Sequence, residues 1–140
     1  MKIYFCGSIK GGRQLADRYA RFISHMKSYG DVLTEHIGNA DYGKGGYKPA
    51  EEVYRQDTAW LTESDVVVAE VTVPSLGVGY ELAFAEKLRK PCLVIYDSEL
   101  NNNISSMITG DDYFRCRCYK GETQAIQTID EFLTEFTEDK

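Results

Sequence analysis

Residues 65–85 read DVVVAEVTVPSLGVGYELAFA, and the division of this stretch decides the fold. Asp65–Val73 is an almost unbroken valine-rich run. A half-exposed strand would alternate apolar and polar residues, whereas a continuous run suits a central parallel strand buried on both faces. Pro74 interrupts it, Ser75 is an N-cap candidate, and residues 75–89 carry a helical pattern. Parallel strands need crossover connections, so strand–helix repeats are expected on either side.

The remainder of the chain supplies them. Lys2–Cys6 is a short apolar strand. Residues 11–28 place Leu15, Tyr19, Phe22, Ile23 and Met26 at helical spacing, and Gly30 fits a helix stop. Val32–Leu33 begin a second strand. Residues 37–48, with four glycines, read as a mobile loop or lid. Pro49 opens a helix over 49–63. Beyond the central stretch, Pro91–Tyr96 is a strand and NNNISSMITG a short helix or turn. Tyr113–Tyr119 is a fifth strand, and residues 122–136 form a closing helix. Five strand–helix alternations predict an α/β fold. The expected form is one doubly wound, flavodoxin-like or Rossmann-like domain over 1–140, with a five-stranded parallel sheet and helices on both faces. Ligands of such sheets bind beyond the carboxyl ends of the strands, so the loops after strands one to four are the ones to examine.

Composition narrows the function. The net charge of −6 disfavours a nucleic-acid polymer, whose binding rests on many Lys/Arg–phosphate contacts. No apolar run approaches a membrane span, and the start of the chain is too short and weakly basic for a secretory signal. An intracellular protein is expected, cytoplasmic or, in a eukaryotic cell, nuclear. Cys6, Cys92, Cys116 and Cys118 contain no C-x-x-C, and the chain has only two histidines. Four small, buried, reduced thiols are the expectation, and no metal site.

The loops offer a limited set of chemistry. Loop one, YFCGSIKGGR, is glycine-rich but lacks the P-loop pattern. Loop three contains GVGYEL, which has neither the third glycine nor the position of a dinucleotide fingerprint, although Asp97 lies 18 residues after Gly79. Gly77 and Gly79 allow close backbone approach by a ligand. Glu81 reads either as routine acidity near a helix start, held ionised by the helix dipole, or as a reactive carboxylate; composition alone favours the first. Asp57 is the second acid that could meet it, and paired carboxylates can cleave a glycosidic bond. Tyr4 is either a packed aromatic or an orienting hydroxyl. His36 could hydrogen-bond a ligand or be structural.

Taken together, YFCGSIKGGR, VLTEHI, Gln56-Asp57, SDVVVAEVTVPSLGVGYELAFA and ISSMITG resemble the 2′-deoxynucleoside 5′-monophosphate N-glycosidases of the nucleoside deoxyribosyltransferase superfamily. The resemblance covers nearly the whole chain, and PSLGVGYE is its most specific block. It implies hydrolysis of the bond between base and 2-deoxyribose 5-phosphate, with Glu81 as nucleophile forming a covalent glycosyl intermediate. Tyr4 would orient that carboxylate, and Asp57 would assist departure of the base as proton donor or hydrogen-bond partner. Ser75 and Gly77 would hold the 5′-phosphate. Gly7, Ile9 and Lys10 would line the pocket, with His36 near base or phosphate. Ser105 and Met107 match positions that reach a neighbouring subunit's site, which implies a homodimer. No cofactor is implied. Lys10 stands where vertebrate members usually carry arginine, exchanging a bidentate fork for a point charge. A deoxyribosyltransferase and a non-catalytic nucleotide-binding module are the alternatives.

Overall fold

The computed structural model describes residues 1–137, so the last three positions of the expected domain lie outside the described residues. Five parallel strands, β1 (Lys2–Cys6), β2 (Asp31–Val32), β3 (Val66–Glu70), β4 (Cys92–Asp97) and β5 (Arg115–Tyr119), form one sheet in the order β2-β1-β3-β4-β5. The helices are α1 (Ala16–Met26), α2 (Ala50–Glu63), α3 (Leu76–Lys87), α4 (Ser106–Thr109) and α5 (Glu122–Thr134), with a 3-10 turn at Glu35–Gly38. None of these helices is long and apolar enough to cross a membrane.

The valine run does what its composition requires. Every residue of β3 is buried, and successive side chains enter opposite cores. Val66 and Val68 join Ile3 and Phe5 under α1 and α5. Val67 and Ala69 join Tyr4 and Cys6 under α2 and α3. Tyr4 and Cys6 therefore face the same side as α3, a consequence of two-residue periodicity.

β3 ends at Glu70, three residues before the expected Val73. The reason is Glu70 itself, which is fully buried. Its carboxylate accepts from Thr72 N (2.8 Å), Thr72 Oγ1 (2.6 Å) and Tyr119 OH (2.5 Å), folding the chain back before Pro74. Thr72 Oγ1 accepts from Asp97 N (2.8 Å), and Asn101 Nδ2 donates to Thr72 O (2.8 Å). Burial raises the Glu70 pKa, while the Thr72 and Tyr119 hydrogen bonds and Arg18 oppose that rise. This polar knot fixes where loop three leaves the sheet. Asp97 belongs to it through Arg18 Nη1 (2.8 Å) and is therefore not free to read a ribose.

The first helix starts at Ala16, not residue 11, because Gly12 takes φ +141° and residues 7–15 form an open loop. Residues 37–48 run from the end of the 3-10 turn through a series of turns into irregular chain, mostly exposed, with Ile37 buried and the Tyr42 and Tyr47 rings in edge-to-face contact. One further expectation changes. Cys6 and Cys92 are buried, but Cys116 is half-buried and Cys118 exposed, because β5 is the edge strand of the sheet and is covered only in part before the buried Tyr119.

Candidate active site

The site begins with α3. Ser75 N-caps this helix, its hydroxyl accepting from Val78 N (3.3 Å). That leaves the N–H groups of Leu76 and Gly77 without intrahelical acceptors, at the positive end of the helix dipole. Gly77 is exposed and unobstructed.

Glu81 is the sixth residue of α3, one turn and a half inside it. That position lies beyond the first turn, where the helix dipole acts most strongly, and burial pushes the Glu81 pKa up to about 7. The hydroxyl of Tyr4 donates to its Oε2, which opposes that shift, while nearby Asp57 adds to it by like-charge repulsion. The Cys6 thiol is near enough to act on the Glu81 carboxylate electrostatically, favouring its ionised form. Tyr4 and Cys6, 77 and 75 positions away in the chain, thus act on Glu81 from one face of β1. Burial and these acidic neighbours drive the pKa of both Tyr4 and Cys6 upward, so both stay protonated. Cys6 escaped the sequence reading; its signal was the i, i+2 spacing from Tyr4.

Asp57 lies on α2, half-buried, with Gln56 Nε2 3.4 Å from its Oδ1. Burial raises its pKa, and the Gln56 hydrogen bond and Lys48 partly offset this. Lys48 Nζ in turn donates to Gln56 Oε1 (2.9 Å). Two carboxyl groups with raised pKa values, 24 positions apart in sequence, therefore share one low-dielectric mouth.

Loop one closes another side. A side chain at Gly7 would strike the Tyr19 ring at 2.7 Å, so glycine is required there. Ser8 is fully buried, and its Oγ has no hydrogen-bond partner among the described residues. A Cβ at Gly11 would stand 2.9 Å from that hydroxyl and 2.3 Å from Pro74 O, so Ser8 points between loop one and the peptide preceding Ser75. Ile9 is half-buried against the α1 core. Arg13 ties loop one to loop two, donating to Ser8 O (2.8 Å), Ile37 O (2.5 Å) and Asn39 O (2.9 Å). Ser8 and Arg13 were both overlooked in the sequence. Lys10 is exposed and its Nζ lies 4.9 Å from the Tyr47 ring centroid.

His36 stands beside Asp57's helix, its ring 5.8 Å from Trp60 and 4.7 Å from Tyr42. Burial lowers its pKa, aided by Lys48 and Arg13, so the ring is neutral at pH 7. Within one copy of the chain, Ser105 and Met107 are not brought into this group. Ser105 caps α4 by accepting from Met107 N (3.2 Å), and Met107 is 83% exposed.

The Tyr4–Glu81 contact carries a direct expectation. Removing the hydroxyl in Tyr4→Phe deletes a bond to the ionised carboxylate, so the Glu81 pKa should rise by about one unit above about 7. Carboxyl-carbon NMR titration checks this, and an unmoved midpoint would mean that the hydroxyl does not set the charge of Glu81.

Comparison with known proteins places the chain in a family. A family model described as nucleoside 2-deoxyribosyltransferase matches residues 3–116. A protein of Esox lucius named 5-hydroxymethyl-dUMP N-hydrolase is 42% identical over 129 residues, covering 87% of this chain and 89% of its own length. The Tetraodon nigroviridis protein of the same name is 45% identical over 115 residues, with coverages of 80% and 81%. Among solved structures, Clostridium botulinum CMP N-glycosidase superposes with a TM-score of 0.68 over 94% of this chain and 99% of its own; at 18% identity it shares the fold.

Proposed function

This chain belongs to the nucleoside 2-deoxyribosyltransferase family, and we propose that it is a hydrolase releasing free base and 2-deoxyribose 5-phosphate from 2′-deoxynucleoside 5′-monophosphates. The observation that carries this reading is Glu81, a half-buried carboxylate held by the Tyr4 hydroxyl with a second carboxyl group, Asp57, in electrostatic reach.

The chemistry follows from those two acids. The ionised Glu81 attacks the anomeric carbon as the N-glycosidic bond breaks, and the bonding electrons leave with the base. Asp57 supplies a proton or hydrogen bond to that base. Positive charge grows on the sugar ring in the transition state and is stabilised by the carboxylate. Water then attacks the anomeric carbon of the glycosyl–Glu81 ester and Glu81 leaves as its carboxylate; where Asp57 has protonated the base, its own carboxylate takes the proton from the water. A deoxy sugar lacks the 2-hydroxyl and reaches this state more readily.

The 5′-phosphate is assigned to the space between loops one and three. Its support is the α3 N-terminus, with Ser75 and the N–H groups of Leu76 and Gly77, and the Ser8 hydroxyl of loop one, which lies beside the Pro74 carbonyl just before Ser75; Gly7 would line the same side. No metal or organic cofactor is part of the proposal.

The decisive assay measures base release from a panel of deoxynucleoside monophosphates, with an unphosphorylated deoxynucleoside plus a second free base in a parallel tube. Release from monophosphates without formation of a new nucleoside is expected. New nucleoside in the second tube would establish a transferase, and no release anywhere a binding module.

We also assign a homodimer whose partner contributes Ser105 and Met107 to the site. Its support is an apolar surface: Leu76 is 97% exposed, and Tyr80 and Tyr54 pair above Phe84, on the same side of the sheet as α4. Leu76→Glu with Met107→Glu should convert a dimer to a monomer by light scattering and abolish base release. Ser105→Ala should weaken monophosphate binding with the fold intact. A fully active monomeric wild type would contradict the assignment.

A further inference from the structure

We propose that Tyr42 and Tyr47 form an aromatic tier that receives the nucleobase of the substrate. The proposal rests on the monophosphate reading above. In a nucleoside 5′-monophosphate the phosphate and the base leave the sugar at opposite ends. With the phosphate between loops one and three and the anomeric carbon at Glu81, the base extends toward Asp57. The structure places a line of rings there. His36 lies 5.8 Å from Trp60, which follows Asp57 by three residues; Tyr42 lies 4.7 Å from His36, and Tyr47 lies 5.7 Å from Tyr42 in an edge-to-face arrangement. Asp57 is felt electrostatically at Tyr42, which ties this line to the reacting end of the site.

The position of Tyr47 is built, not incidental. Gly43 takes φ +92°, and a Cβ there would fall 2.5 Å from Cε1, Cζ and OH of Tyr47, so only glycine lets the hydroxyl end of the ring approach the backbone. From loop one, Lys10 Nζ sits 4.9 Å from the ring centroid, a cation–π contact that steadies one face and leaves the opposite face for a base. Yet Tyr47 remains 41% exposed, so core packing does not account for it. An open, positioned tyrosine beside a second ring is a stacking surface, and every base has a π-face to lay on it. Stacking of one base on an aromatic side chain corresponds to roughly 5- to 150-fold in affinity. A purine covers more ring area than a pyrimidine and should gain more.

Calorimetric titration in the inactive Glu81→Gln background separates base from phosphate. The ligands are 2′-deoxyguanosine 5′-monophosphate, 2′-deoxyuridine 5′-monophosphate and 2-deoxyribose 5-phosphate. Adding Tyr42→Ala and Tyr47→Ala should weaken the nucleotides by about 10- to 100-fold, the purine more, and leave the sugar phosphate within about twofold. Tyr42→Phe with Tyr47→Phe should restore nucleotide binding. Nucleotide affinity indifferent to both tyrosines overturns the tier alone, as does an equal loss for the sugar phosphate. Failure of the Glu81→Gln parent to bind any nucleotide overturns the monophosphate reading and the tier together.

Discussion

Glu81→Gln is expected to lower base release by about 10³-fold or more, the scale of losing one preorganised charge at a developing ionic centre. An amide neither attacks the anomeric carbon nor balances the positive ring. The same substitution should stabilise the fold, and the direction follows from linkage. Burial raises the Glu81 pKa from 4.5 to about 7. Below 4.5 both folded and unfolded chains hold the proton, and ionisation carries no cost. Between 4.5 and 7 the unfolded chain releases it while the folded chain retains it, so stability falls as pH rises, and the full loss is present above 7. Glutamine never ionises and escapes that cost. The expected gain is about 1–3 kcal/mol at pH 8 and little at pH 4.5. Denaturant unfolding of both proteins at the two pH values measures it. A variant that loses activity and also loses stability at pH 8 would mark Glu81 as a structural residue, against the mechanism. In the wild type, base release should rise with pH through about 7 as Glu81 ionises.

Asp57→Asn should cost about 10²–10³-fold in base release, within the range for removal of a positioned proton donor. The effect should depend on the leaving group. A base made more acidic by an electron-withdrawing substituent needs less help, so the deficit should shrink markedly for 5-fluoro-2′-deoxyuridine monophosphate. Asp57 also raises the Glu81 pKa, so in Asp57→Asn the rise of activity with pH should move to lower pH. A uniform deficit across leaving groups, with an unmoved pH midpoint, would place Asp57 in substrate positioning and leave the proton to another source. The Tyr4→Phe titration expects the opposite displacement, since that hydroxyl lowers the Glu81 pKa; the two variants together test whether one carboxylate governs the profile.

Much of the frame was legible because backbone physics is local. An unbroken valine run has one low-energy use in a chain of alternating helices, and β3 sits at the centre of the sheet as it predicts. The Ser75 cap followed from a small hydroxyl residue at a strand–helix junction. The end of β3 was not legible, since it depends on a buried carboxylate finding Tyr119 from another strand. The exposure of Cys118 likewise depends on which strand lies at the edge.

The amino-acid sequence by itself determined the strand–helix order, the glycine-lined loops and the family block around Glu81, because these rest on propensity, periodicity and short motifs. It left the protonation state of Glu81 undecided. Only the tertiary structure decided that state. The pKa of a carboxylate answers to desolvation and to charges within a few ångströms. Tyr4, Cys6 and Asp57 come that close only when β1, α2 and α3 pack on one face of the sheet. The meeting of Tyr42 and Tyr47 with His36 is of the same kind, because ring contacts across turns are set by the folded path and not by spacing along the chain.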